Sequence, residues 1–184
     1  MRIRPSRGAR SLVIAVAAMA TTCAAAAPAG ADSGGVGPNS HPTSGRPGQA
    51  TIVHGKAVAP ADAPPRVERA IAAANRIVKG KPYCYGGGHG DWEARCYDCS
   101  GSVSYALGDR GARLIDAPMP SGSFMNWGRS GRGRWITVFA NGGHMYAVIA
   151  GLRLDTSMTK GDGPGWSRQM RYQSGFRVRH PARM

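Results

Sequence analysis

Apolar positions between residues 66 and 79 recur at spacings of three and four. Val67, Ala70, Ile71, Ala74, Ile77 and Val78 fall on one face of a helix. Gly80 supplies a C-terminal stop, with Pro82 just beyond. A second helix is predicted over Cys99–Leu107, with Asp98 as N-cap, Gly108 as its end, and Val103, Ala106 and Leu107 turned inward. The pattern then changes. Residues 134–140, rich in Trp, Ile, Thr, Val and Phe, read as a strand. Asn141-Gly142-Gly143 is a turn, and 144–150 is a second β-prone run. Gly151-Leu152 makes a tight turn into a strand over 153–157. Residues 159–168 read as a Gly-rich loop, and 175–180 alternate like a last strand. Helices followed by an antiparallel sheet define an α+β domain.

The first 65 residues lack this patterning. Arg2, Arg4, Arg7 and Arg10 precede an almost continuous apolar run, Ser11–Ala27, and Ala29-Gly30-Ala31 offers a small-residue cleavage site. Residues 1–31 therefore read as a secretory signal peptide. Its apolar run is short for a membrane span and ends at Pro28. No membrane span is expected after its removal. Residues 32–65, rich in Gly, Pro, Ser, Ala and His, read as a flexible linker that cannot bury enough surface to order itself. His41 and His54 fall there as solvated side chains. Residues 66–184 form the folded domain, long enough for one core.

Charge narrows the range of partners. The chain carries a formal net charge of +14, and losing the four signal arginines with no acid leaves +10. A basic exported protein is drawn to anionic polymers such as a bacterial envelope. No basic helix is interleaved with aromatics, so nucleic acid is not the expected partner. Nothing in the pattern calls for self-association, and a monomer is expected.

Three cysteines remain after signal removal: Cys84, Cys96 and Cys99. An odd number in an exported protein points to one disulfide and one free thiol. Cys99 stands where a helix begins, and the amide donors and positive dipole end there stabilise a thiolate. Cys84 and Cys96 lie on the preceding loop. A Cys84–Cys96 disulfide with Cys99 as nucleophile follows. Two alternatives share the same residues: a Cys96-x-x-Cys99 redox pair, and a zinc site adding Cys84 and His89.

A thiolate needs a base. His144 opens a strand directly after Gly142-Gly143, whereas His89 lies in a glycine loop and His180 sits between Arg179 and Pro181. A strand start is a rigid mount for an imidazole. A hairpin turning at Gly151-Leu152 would bring Asp155 beside His144, where it could accept the second imidazole proton. The candidate catalytic set is Cys99, His144 and Asp155.

Three segments carry a family resemblance: Tyr83-Cys84-Tyr85-Gly86-Gly87, then Tyr97-Asp98-Cys99-Ser100-Gly101-Ser102-Val103, then Gly143-His144-Met145-Tyr146-Ala147-Val148. They resemble the NlpC-type peptidoglycan peptidases, the papain-like cysteine endopeptidases of bacterial cell walls, over residues 66–157. The resemblance implies a helix bearing Cys99 packed on an antiparallel sheet bearing His144. It implies cleavage of stem-peptide amides, of the D-glutamyl–diaminopimelyl type, with no metal or organic cofactor. It places Asp98, Ser100 and a tyrosine from the Tyr83/Tyr85 loop in the substrate-binding subsite. Asp155, Tyr85 and the long 86–98 loop depart from the common pattern, and the 175–181 tail has no assigned counterpart. Three further classes share these features: a wall-binding protein without activity on the same scaffold, a C-x-x-C thiol–disulfide protein, and an amidase or acyltransferase of papain-like layout.

Overall fold

A computed structural model describes residues 48–158, 163–182 and 184. The expected signal peptide, 1–31, and residues 32–47 of the expected linker lie outside the described residues. The described chain runs β1 (Thr51–Val53), β2 (Lys56–Val58), α1 (Pro65–Ile77), α2 (Cys99–Leu107), α3 (Ser121–Phe124), β3 (Arg129–Ser130), β4 (Ile136–Ala140), β5 (Met145–Ile149), β6 (Leu152–Asp155), β7 (Gly165–Ser167) and β8 (Arg177–His180). It is a mixed fold of helices and antiparallel sheet. Six strands form one sheet in the order β3-β8-β4-β5-β6-β7, and every pairing is antiparallel.

The inner face of the sheet carries Ile136, Val138 and Ala140 from β4, Met145, Ala147 and Ile149 from β5, and Leu152 and Leu154 from β6. They pack with Val67, Ala70, Ile71 and Ala74 of α1 and with Val103, Ala106 and Leu107 of α2. Burying each large aliphatic side chain contributes roughly 1.5–3 kcal/mol before entropy is charged against it. Every residue of α2 is buried, so its Ser, Gly and Ala side chains have a packing reason. They let α1, the sheet and the 84–88 loop approach closely. A Cβ on Gly101 would overlap the Gly87 carbonyl.

The outer face is also covered. Phe139 and Tyr146 stack with ring centroids 4.7 Å apart, and Phe176 meets Tyr146 edge-on at 5.4 Å. This explains why β4 is buried along its whole length rather than alternating.

Three expectations are corrected. The flexible linker over 32–65 does not hold for residues 48–65. β1 and β2 form a hairpin turning at His54-Gly55, both at positive φ, and Ala50, Ala57, Ala59 and Ala63 are buried on the main core. Alanines give a weak hydrophobic signal by sequence, yet they fit against a helix at close range. The loop expected over 159–168 contains β7, whose Trp166 is buried against the core. α1 ends at Ile77, and the left-handed residue past it is Lys79 (φ 59), one position before the expected glycine.

Asn75 joins these additions to α1. Its Oδ1 accepts from Ala57 N at 2.9 Å and from Trp166 Nε1 at 2.9 Å, while its Nδ2 donates to Ala57 O at 2.8 Å. One α1 side chain thus ties down both the hairpin and β7. Asn75→Ala is expected to destabilise the fold by about 2–3 kcal/mol, because three partly buried partner groups lose a hydrogen bond at once. Urea denaturation measures it, and a cost no larger than that of an ordinary surface substitution would refute the role.

Candidate active site

The 84–98 loop, the start of α2 and the β5–β6 hairpin meet around Cys99. Asp98 has extended backbone (φ −87, ψ −173) and accepts from Gly101 N at 2.6 Å, the N-cap arrangement. Cys99 is therefore the first residue of α2. Its N–H has no intrahelical acceptor. Cys84 and Cys96 are joined, and Cys99 is free and 9% exposed. With its sulfur so engaged, Cys96 is not paired to Cys99.

Asp98 does more than cap. Its Oδ1 also accepts from Ser100 Oγ at 3.0 Å, its Oδ2 from Gly86 N at 3.1 Å, and His89 Nε2 lies 3.0–3.1 Å from both oxygens. His89 is 3.0 Å from Ser100 Oγ as well. Four chain groups take up the roughly four acceptor positions of a carboxylate. A substrate ammonium could reach Asp98 only by displacing one of them. Tyr83 stands half-exposed nearby, and its phenol is pushed above its ordinary pKa first by partial burial and then by the negative charges of Cys99 and Asp98. Tyr85, on the same disulfide-closed loop, is 94% exposed.

On the other side, Asn141 sets the entry to β5. Its Oδ1 accepts from Gly143 N at 3.0 Å and His144 N at 2.8 Å, and Asn141 N donates to His144 O. β5 and β6 pair Ala147 with Leu154, Val148 with Arg153 and Ile149 with Leu152 across the Ala150-Gly151 turn. Both turn residues have positive φ, 45 and 78, as a two-residue hairpin of this twist requires. The register carries Asp155 to the end of β6 beside His144, and Nε2 of His144 lies 3.0 Å from Asp155 Oδ1. The other ring nitrogen, Nδ1, is not engaged by Asp155, and Cys99 is near enough to the ring to raise its pKa.

The Asp155 side chain has no exposed surface. Oδ1 accepts from His144, Ser157 N (3.0 Å) and Ser157 Oγ (2.9 Å). Oδ2 accepts from Arg171 Nη1 at 3.3 Å and faces Arg153 Nε at 3.6 Å. Arg171 also donates to Ser157 Oγ. Burial pushes the Asp155 pKa upward, but hydrogen bonds from His144 and Ser157 overcome it and hold the carboxyl below its ordinary range. Asp155 is then ionised and accepts only, so Nε2 of His144 carries a proton. For His144, burial again disfavours the charged form. Hydrogen bonds to Asp155 and Cys99 and their negative charges outweigh it, pushing the pKa up to about 9.

All three candidate catalytic residues are thus in one constellation. Sequence reasoning missed His89 as an Asp98 partner, and also Ser157, Arg153, Arg171 and Phe176, whose ring lies edge-on to His144 at 6.5 Å. Asp155-Thr156-Ser157 carries an Asx-turn spacing that could have flagged Ser157. Arg171 lies in an aperiodic segment with no such signal.

The chain matches no protein-family model and no curated protein. Among solved structures it is similar to the P60 domain of an antigen from M. avium subspecies paratuberculosis, with 22% identity, TM-score 0.45, and coverage of 62% of this chain and 93% of that one. It is similar to the peptidoglycan hydrolase RipB from Mycobacterium tuberculosis at 25% identity, TM-score 0.47, with coverage of 62% and 64%. It is also similar to a mutated form of the resuscitation promoting factor interacting protein RipA at 23% identity, TM-score 0.45, with coverage of 62% and 61%. The chain spans less than two thirds of the RipB and RipA chains. TM-scores below 0.5 fix neither an activity nor a substrate.

Two consequences can be measured. The folded-state pKa of His144 is raised from its ordinary value of 6.5 to about 9. Its pairing therefore stabilises the fold fully below about pH 6.5 and is lost as pH rises through about 9. The midpoint of thermal unfolding should fall over that window, and Asp155→Asn should flatten the slope; an unchanged slope would contradict the coupling. Secondly, the Cys84–Cys96 loop spans 12 residues. Replacing both cysteines by serine should cost about 3 kcal/mol in the chain-entropy account, read by denaturation with and without reductant.

Proposed function

We propose that this protein is a secreted cell-wall hydrolase that cleaves stem-peptide amide bonds of peptidoglycan through a cysteine thioester. The observation that carries the reading is a free cysteine at a helix start, Cys99, electrostatically coupled to His144, whose Nε2 is held by the buried carboxylate of Asp155. The substrate class follows from the resemblance of the Tyr83–Gly87, Tyr97–Val103 and Gly143–Val148 segments to the NlpC-type peptidases. The papain-like layout, helix-borne thiol against strand-borne imidazole, belongs to the same reading. Secretion rests on the N-terminal charge and apolar pattern. No helix among the described residues is long and apolar enough to cross a membrane.

In the first half-reaction the Cys99 thiolate attacks the amide carbon. The S–C bond forms, and negative charge develops on the carbonyl oxygen. The unpaired Cys99 N–H at the start of α2 is placed to receive that charge, and one such donor is worth about 3–4 kcal/mol. Imidazolium His144 gives its Nδ1 proton to the leaving amine as the C–N bond breaks. Neutral His144 then takes a proton from water, which attacks the thioester and releases the acid and the Cys99 thiolate. Asp155 holds Nε2–H throughout, fixing the ring. Tyr83 and Tyr85 are the exposed candidates for substrate contact. Asp98 and Ser100 serve the substrate through the loop and helix start that they hold together.

The decisive experiment digests purified peptidoglycan with the mature protein and identifies the fragments by mass spectrometry. New amino and carboxyl ends in the stem peptides are expected. Cys99→Ala should abolish them, and His144→Ala should lower turnover by at least about 10²-fold, with folding intact by circular dichroism. His180→Ala should retain turnover. Stem cleavage surviving in Cys99→Ala would refute the mechanism, and an intact wall with wild-type protein would leave a binding protein on this scaffold.

A further inference from the structure

Between β7 and β8 the chain crosses the outer face of the sheet, on the side of His144. Two side chains of this strap reach the site. Phe176 lies edge-on to His144 and Tyr146, and Arg171 bonds Asp155 Oδ2 and Ser157 Oγ. The two oxygens of Asp155 have separate partners. Oδ1 belongs to His144 and Ser157, and Oδ2 to the guanidinium groups of Arg171 and Arg153. Arg153 comes from β6 itself and is buried. Arg171 is brought from a distant part of the chain and is about one third exposed.

We propose that Arg171 is a positioning residue for the reaction: it shares Asp155 with His144 and so limits how strongly that carboxylate holds the imidazolium. This rests on the hydrolase reading above for its functional meaning. The reaction makes opposed demands on His144. It must stay protonated beside the Cys99 thiolate, yet it must surrender that proton to the leaving amine. A buried carboxylate devoted to the ring alone serves the first demand and hinders the second. A cation on the opposite oxygen withdraws part of that hold. Asp155 need not move when Arg171 is removed, because both Ser157 bonds and the Arg153 charge remain. The effect is therefore one of charge. The other groups facing the pair are Cys99 from α2 and Tyr146 from β5, with Arg132 also within electrostatic reach of Tyr146.

The sign follows. Without Arg171, the His144 imidazolium is held more tightly and titrates higher, and Asp155, having lost a cation, also protonates at higher pH. Arg171→Met should shift both limbs of the kcat/KM profile upward, the alkaline limb by roughly 0.5–1 pH unit at low salt, and lower kcat severalfold on the plateau. Arg171→Lys, which restores a point charge without the planar fork, should return the limbs toward wild type. An NMR titration of the His144 ring in the full-length protein gives the same reading without turnover. An upward shift in Arg171→Met that Arg171→Lys reverses supports the proposal. A titration that stays in place or moves down overturns it, since a bystander would move nothing and a mere tether would release Asp155 from the ring. Should the ring titration shift as expected while no variant cleaves peptidoglycan at any pH, the hydrolase reading fails and the charge coupling stands. If Arg171→Met does not fold, Arg171→Gln takes its place in the same titration.

Discussion

The architecture around Cys99 depends on a helix that is buried on every side. α2 sits between α1, the sheet and the 84–88 loop, so its first amide groups cannot rely on water. Asp98 answers that constraint. Its carboxylate caps the helix and also gathers the Gly86 amide, the Ser100 hydroxyl and the His89 ring. Capping, loop placement and thiol placement are then one arrangement. The residue types along α2 follow from the same burial, since a larger side chain at Gly101 would hold the Gly87 backbone away.

The second anion of the site obeys a different rule. Asp98 is met chiefly by neutral donors and a histidine, whereas Asp155 lies among His144, Arg153 and Arg171. A buried carboxylate without such partners would protonate rather than stay charged. The cluster keeps it ionised, and an ionised Asp155 in turn makes a charged His144 tenable in a partly desolvated cleft. The sheet supplies the rigidity. The β5–β6 hairpin fixes the separation of His144 and Asp155 through a two-residue turn in which only left-handed conformations fit.

Much of this was readable in the chain. The helical spacing of Val67 to Val78, the Asp98 cap, the bounds of α2 and the β5–β6 hairpin all rest on local pattern, and each is found close to its expected place. Local pattern also suffices for the placement of Cys99, His144 and Asp155, because two of them share a hairpin and the third starts a helix. What escaped depends on distant partners. The β1–β2 hairpin is held by alanines and by a side chain 18 residues away, Asn75. β7 is three residues long and is secured by Trp166 reaching that same Asn75. Arg171 meets Asp155 at a sequence separation of 16, from beyond β7. Such contacts leave no periodic trace in a sequence.

The bridge between Cys84 and Cys96, with Cys99 left reduced, also constrains how the chain must acquire its structure. Ring closure favours the nearest partner, and the nearest partner of Cys96 in the sequence is Cys99, three residues away. During oxidation the short ring therefore competes with the native one. Once Asp98 has capped α2, Cys99 is held in the helix start, and Cys84 is carried to Cys96 by the Gly86–Gly87 turn over that start. Order of events thus decides between a free Cys99 and a Cys96–Cys99 bridge: helix first, oxidant second. A maturing chain that met its oxidant before α2 had formed would depend on thiol exchange to recover.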